Sequence, residues 1–385
     1  MQPPSSDSRR ARLGELARLF LRLGTTAFGG PAAHIAMMED EVVARRGWLT
    51  REQFLDLLGA TNLIPGPNST ELAIHVGHAR AGFAGLVVAG ACFILPAALI
   101  VSALGWAYVR FGSLPQVSGL LYGAKPVVIA VVVQALWRLF RSAVRGWETT
   151  LVAVAAAAAN ALGTDELVVL GAAAALTAAA EGVRSASSRA GRGGAAALLA
   201  ASLPAGAGAA AGSVALWPLF AFFAKVGSVL FGSGYVLLAF LRSGLVEQRG
   251  WLSEGQLLDA IAVGQVTPGP VFTTATFVGY VLAGGWGALV ATAGIFLPAF
   301  VFVAISAPLV PRLRQSRIAA ALLDGVNAAS LALMAVVTAR IAGAALVDPL
   351  TIALAAISAV LLLGFRVNSG WLVAAGAAIG LAVSH

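Results

Sequence analysis

The residues best placed to do chemistry stand beside two Pro-Gly-Pro triplets, Pro65-Gly66-Pro67 and Pro268-Gly269-Pro270. Proline removes a backbone donor and collides with the preceding turn, and glycine accepts dihedrals closed to other residues, so each triplet should interrupt a helix. A helix restarting at Asn68-Ser69-Thr70 or at Thr273-Thr274 would offer free N–H groups, the positive end of a dipole and side-chain hydroxyls, which together suit an anion. The breaks at Phe28-Gly29-Gly30-Pro31 and Phe231-Gly232-Ser233 offer the same, and Asn62 and Gln265 stand at matched positions just before the triplets. A single triplet reads equally well as a tight turn between two short helices. Two at equivalent positions, each followed by hydroxyls, favour a binding role.

Few ionisable residues accompany them. Lys125, in Gly123-Ala124-Lys125-Pro126 within an apolar run, is the cation that could meet an anion, its alternative being a side chain that snorkels to an interface. Glu71, three residues past Asn68, could complete the helix start or carry a proton, and its counterpart in the second triplet's segment is Thr273 or Thr274. Glu39 is the second acid considered for proton transfer, expected at an interface, with Arg242 at the equivalent position. His75 and His78 lie on the Glu71 segment and titrate in the physiological range. Asp56 and Asp259 are matched acids early in their helices, where they suit the dipole.

These residues are positioned by a duplicated chain. Arg46-Gly47-Trp48-Leu49-Thr50 returns as Arg249-Gly250-Trp251-Leu252-Ser253, and the triplets repeat at the same spacing of 203 residues. After a one-residue slip the spacing is 202, pairing Gly77 with Gly279, Pro96 with Pro298 and Gly123 with Gly325. The halves read as 1–181 and 213–385, joined by a connector at 182–212 rich in Gly, Ala and Arg that could include a linking span. Thr50-x-x-Gln53 and Ser253-x-x-Gln256 are capping boxes that should start the helix entering each triplet.

Of 385 residues, 59% are apolar and 11% charged, too few charges to coat a soluble surface. Residues 81–109, 193–224 and 260–311 carry no Asp, Glu, Lys or Arg, and roughly 20 apolar residues cross a bilayer. The fold class is an all-α polytopic membrane protein of about 12–13 membrane segments. The net charge of +8 is mostly arginine at segment ends, which reads as membrane orientation rather than a nucleic-acid partner. Arg138, Arg141 and Arg145 face an arginine-poor equivalent in the second half, Arg312, Arg314 and Arg317 face only Arg110, and the Arg-rich N-terminus corresponds to uncharged residues. All three comparisons predict halves inserted with inverted topology. Arg45, Arg46 and Arg51 dissent unless the helices of residues 14–80 are short or re-entrant. No cleaved signal peptide is read, and the lone Cys92 supports neither a disulfide nor a metal site.

No Walker A loop, Gly-x-Ser-x-Gly elbow or His-Glu-x-x-His signature is present, so neither an enzyme nor ATP-driven transport is indicated, and no cofactor is expected. A passive channel would need a continuous polar stripe, whereas the polar groups concentrate at the breaks. The phrase from Phe28-Gly29-Gly30-Pro31 through Glu39, Gly47-Trp48-Leu49, Asn62 and Pro65-Gly66-Pro67-Asn68, with its weaker second copy, resembles the chromate ion transporter family in its long, duplicated form. That resemblance implies a bacterial inner-membrane carrier exporting chromate, driven by protons, with sulfate as a structural mimic. The partners are then a small oxyanion, protons and lipid, and a homodimer is compatible with the sequence.

Inversion predicts a cytoplasmic N-terminus, a cytoplasmic Arg184–Arg192 loop and a periplasmic C-terminus. Cysteines introduced at Gly112 and Gln315 should then react with an impermeant thiol reagent from opposite faces of the membrane; labelling from one face would sink the inverted arrangement.

Overall fold

The computed structural model describes residues 6–28, 30–112, 114–143, 146–187, 214–231, 236–306, 317–365 and 367–383. The chain is helical in every described element. The first half comprises α1 (Ser6–Thr26), α2 (Gly30–Glu39) running into a π-helical turn Asp40–Arg45, α3 (Arg51–Thr61), α4 (Asn68–Phe111), α5 (Pro115–Ala143), α6 (Trp147–Ala161) and α7 (Glu166–Ser187). The second comprises α8 (Leu216–Val229), α9 (Leu237–Leu241) with a π-helical turn Arg242–Glu247, α10 (Glu254–Val266), α11 (Thr274–Ser306), α12 (Arg317–Ala345), α13 (Pro349–Gly364) and α14 (Ser369–Val383). The duplication is therefore structural as well as sequential.

Both predicted capping boxes form. The Thr50 hydroxyl accepts from Gln53 N at 3.2 Å while Gln53 Oε1 accepts from Thr50 N at 2.9 Å, and Ser253 and Gln256 repeat both distances. The one-residue slip falls where the second half restarts through a 3-10 turn, Val271–Thr273, in place of the α-helical start of α4. The linking span considered near 195–215 lies almost wholly outside the described residues.

Helix α4 is a hairpin, not one rod. At Ala81 the dihedrals leave the helical region (φ −144°, ψ 24°) and at Gly82 they enter a glycine-only region (φ 63°, ψ −150°); Ala283 and Gly284 in α11 repeat these values within a few degrees. The arms cross so closely that a Cβ on Gly77 would strike the Gly85 carbonyl, and Gly279 stands likewise against Gly287. The first arm of α4 ends at Arg80, which bonds Glu15 of α1 at 3.0 Å and lies 4.9 Å over Trp48, just ahead of α3. Helix α3 and this arm thus run in opposite directions, with the first Pro-Gly-Pro as their tip.

The halves pack antiparallel. The far end of α4 meets the base of the second half's hairpin, with Tyr108 5.1 Å from Phe277 and Gly105 against Tyr280. The start of α4's long arm lies beside its own half's base, through Gly77 and Gly85. The two hairpins consequently enter from opposite ends and point at each other. Within residues 14–80, where the arginine pattern dissented, α3 (11 residues) and the first arm of α4 (residues 68–80) are short helices.

Five described helices are long and apolar enough to cross a membrane, within α4, α5, α7, α11 and α12, and α8, α13 and α14 are shorter apolar helices. Phe83, Leu99, Trp106, Trp286 and Ile305 lie exposed on α4 and α11, an outer surface that lipid must cover.

At the base of the first half, Glu41 gathers Arg22, Arg45 at 3.3 Å and Arg46 at 3.1 Å. Burial opposes its charge, but hydrogen bonds from Arg22 and Arg46 outweigh that and hold the carboxyl below the ordinary glutamate value of 4.5. A depressed value contributes stability that is present above pH 4.5 and is lost as the pH falls through the folded value. Glu41→Gln should therefore lower the stability of the detergent-solubilised protein at neutral pH by about 1 kcal/mol, since its arginine partners are partly exposed. Thermal unfolding of wild type and variant should converge as the buffer is taken below pH 4.

Candidate functional site

The centre of the molecule is where the broken helices meet. The amide of Gly66, in the first triplet, donates to the Leu230 carbonyl at the end of α8, at 2.7 Å. By the same pattern the amide of Gly269, in the second triplet, donates to the Ala27 carbonyl at the end of α1, at 2.9 Å. Each triplet thus seals the open end of the other half's first helix. A Cβ on Gly66 would lie 3.5 Å from Ala299 and one on Gly269 2.7 Å from Ala97, the two alanines being themselves repeat mates. Each triplet therefore contacts the opposite half's first break.

The first-half tip is polar. Asn62 ends α3 and donates to its own Leu58 carbonyl at 3.2 Å, and Asn68 Nδ2 reaches back across the triplet to Asn62 Oδ1 at 2.9 Å. The two asparagines clamp the break from both sides. The Thr70 and Glu71 amides both take the Pro67 carbonyl, at 2.8 and 3.0 Å, so the free amides of this helix start are at most those of Asn68 and Ser69. Glu71 is completely buried and neither carboxyl oxygen has a hydrogen-bond partner. Its carboxyl lies against Gly66 so closely that a methyl group there would overlap it. Thr70 Oγ1, Asn68 Oδ1 and His75 Nε2 are further buried atoms without a partner, and His75 stands one turn beyond Glu71 on the same face. His78 is partly exposed another turn on.

His34 belongs to this tip although nothing in its spacing singled it out. It is 1% exposed, its Nε2 is 3.1 Å from the Ala27 carbonyl, its Nδ1 is 3.4 Å from Ser69 Oγ, and its ring stands edge-on to Phe93. Because a carbonyl can only accept, Nε2 carries the proton and Nδ1 faces the Ser69 hydroxyl as an acceptor. The available signal was its place three residues after Pro31, on the helix that opens from the first break. Gly30 has a positive φ of 77° at that opening, and Gly29 lies outside the described residues.

The second-half tip is drier. Thr273 and Thr274 spend their hydroxyl protons on the Pro270 and Val271 carbonyls, at 2.8 Å each, which caps the restart instead of leaving donors for a ligand. Gln265 and Thr274 line a water-sized cavity of about 10 Å³ with Leu237, Leu241 and Ile261. The repeat mates of Glu71 and His75 are a threonine and Phe277, so the polar chemistry is one-sided.

Lys125 does not join either tip. It pairs with Asp259 of α10 at 3.0 Å and lies near Gly255, at the base of the second hairpin. From Asp259 to Pro268 is about 13 Å along the helix. Asp259 is thus more than an acid at a helix start: it ties the halves together through Lys125 and through the Tyr108 hydroxyl, which donates to Oδ2 at 2.9 Å. Glu39 is half exposed at the opposite base and faces Arg51 at 3.6 Å, an interfacial position. Among the described residues no cluster of His, Cys, Asp or Glu could hold a metal ion.

Comparison with known proteins is consistent along the whole chain. A family model described as chromate transporter matches it twice, over residues 14–179 and 217–381. The chromate transport protein of Cupriavidus metallidurans is 36% identical over 380 residues, covering 95% of this chain and 92% of that protein. A probable chromate transport protein of Synechococcus elongatus is 31% identical (87% and 84% covered) and a chromate transport protein of Pseudomonas aeruginosa 32% identical (85% and 80%). No solved structure matches.

Gly66 combines a φ of 141° with contact to Glu71, so Gly66→Ala meets both backbone strain and overlap. It should destabilise the protein by roughly 2–3 kcal/mol, whereas Gly14→Ala, in helix with nothing within 4 Å, should be neutral or stabilise by up to ~1 kcal/mol. Thermal melts of the two purified variants check the contrast.

Proposed function

We propose, from the premise that this chain belongs to the chromate transporter family, that it exports chromate from the cytoplasm across the inner membrane in exchange for protons moving inward. The chain is a multi-pass membrane transport protein and not an enzyme. The substrate follows the names of its relatives and the chemistry of the tips. Chromate is a tetrahedral dianion with four acceptor oxygens, and taking it out of water is costly unless several donors replace its hydration. Asn68 and Thr70, with the free amides of the helix start, supply such donors, while the Ser69 hydroxyl gives its proton to His34; the other tip contributes Gln265. Sulfate has the same shape and charge and is the natural competitor. Antiparallel packing of the halves supports an inverted insertion, as in carriers whose broken helices meet near the midplane.

The observation that carries the coupling is Glu71: a fully buried carboxyl without a partner, at the start of a helix whose free amides suit an anion. A proton gained or lost there changes the charge beside the anion by one unit. The two negative charges repel, so the protonation state of Glu71 sets how tightly the anion is held. Export is already assisted electrically, since each charge leaving an inside-negative cell gains about 2.3 kcal/mol per 100 mV. A proton returning through Glu71 adds to that drive, with His75 and His78 on the same arm as its next stations.

Everted vesicles should accumulate chromate only while a pH gradient is held, and excess sulfate should reduce the accumulation. Glu71→Gln should keep chromate exchange at equilibrium within about threefold yet lose at least tenfold of the gradient-driven accumulation. Equilibration without a gradient in the wild type would favour a channel. Undiminished accumulation in the variant would remove Glu71 from the coupling.

A further inference from the structure

A second polar chamber lies away from the tips. It has a volume of about 250 Å³, well above the ~10–15 Å³ that one water needs, and is lined by Tyr108, Ser118, Tyr122, Lys125 and Asp259 together with Gly112, Ala344, Ala345 and Val347 at helix ends. Its walls come from the far end of α4, the start of α5, the base of α10 and the end of α12, so it opens at the end of the bundle opposite Arg80 and Glu15. We infer that this chamber is a separate subsite for a tetrahedral oxyanion, in which Lys125 holds the ion between the tips and the solvent at that end. The inference rests on the transport reading above and adds to it a second stop on the route.

The lining explains why an anion would pause there. An ammonium carries three donors, and Lys125 Nζ makes an ion pair with Asp259 Oδ1 at 3.0 Å. The Lys125 side chain remains 22% exposed while that of Asp259 is 6% exposed, so the cation and not the acid is presented to the chamber. Asp259 is satisfied on its other oxygen by Tyr108, so it keeps a partner when Lys125 turns toward an incoming ion. Tyr122 is committed to Asp348 at the rim, and Ser118 is exposed with a hydroxyl to donate. Asp259 also sets the strength of the subsite. It offsets the charge of Lys125 and repels a dianion, which keeps the stop shallow enough for the ion to leave. The repeat mate of Lys125 is Asn327, so the pseudo-symmetric position does not repeat this lysine.

A merely structural ion pair and a subsite predict different patterns. If the pair only staples α5 to α10, Lys125→Gln and Asp259→Asn both weaken the fold and shift chromate binding in the same direction, if at all. If Lys125 holds the anion, the two changes have opposite signs. Equilibrium binding of chromate to the purified, detergent-solubilised protein, measured by calorimetry, should weaken about tenfold in Lys125→Gln and tighten several-fold in Asp259→Asn. The double variant Lys125→Gln/Asp259→Asn, which leaves no buried unpaired charge, guards against misfolding and should bind as weakly as Lys125→Gln. Shifts of the same sign, or a double variant with wild-type affinity, would overturn the subsite while leaving the transport reading in place. Failure of the wild type to bind chromate at all would overturn both.

Discussion

Two hydrogen bonds that cross between the halves organise this protein: Gly66 N to Leu230 O and Gly269 N to Ala27 O. A helix broken inside an apolar slab exposes carbonyls and amides that lipid cannot satisfy, and each unsatisfied group costs several kcal/mol. One half cannot close both ends of its own breaks. Crossing the triplets lets each half supply the donor that the other lacks, and the result dictates the antiparallel packing, the opposed hairpins and the placement of the polar tip at the centre. Helices α5, α12 and the long arms of α4 and α11 form the frame that holds these contacts in register.

What local chemistry determines was legible in the residues. The duplication, the breaks at Pro-Gly-Pro and both capping boxes depend on neighbours within a few positions, and each takes the expected form. The re-entrant turn at Ala81-Gly82 was not legible, because a glycine in an apolar run looks the same whether it packs a helix or reverses the chain. Lys125 was readable as an unusual cation, but its partner lies 134 residues away in α10, and no pattern of spacing announces such a meeting. His34 was missed for a related reason: a single histidine on a short helix gains meaning only when Ala27 and Ser69 are seen around it.

The duplicated scaffold carries unequal chemistry. Backbone features are shared almost residue for residue, from the dihedrals at Gly82 and Gly284 to the alanines beneath the triplets. The ionisable groups are not, with Glu71 and His75 facing a threonine and a phenylalanine across the pseudo-symmetry. Geometry demands that both halves break, since each closes the other. Chemistry makes no such demand, and the acid stands at one tip alone.

The crossed tips also have a consequence for biogenesis. The ribosome makes Ala27 more than two hundred residues before Gly269, so the carbonyl that ends α1, which takes His34 Nε2 early, must wait through most of synthesis for its backbone donor. A contact of such sequence separation forms late, after the loop it closes has been ordered. The first half therefore enters the membrane as an unfinished piece, with an orphaned amide at Gly66 and an Ala27 carbonyl held by His34 alone. Until the second half arrives, water or the insertion machinery has to satisfy that amide, and docking of the crossed triplets is the last step of assembly rather than an early product of local folding.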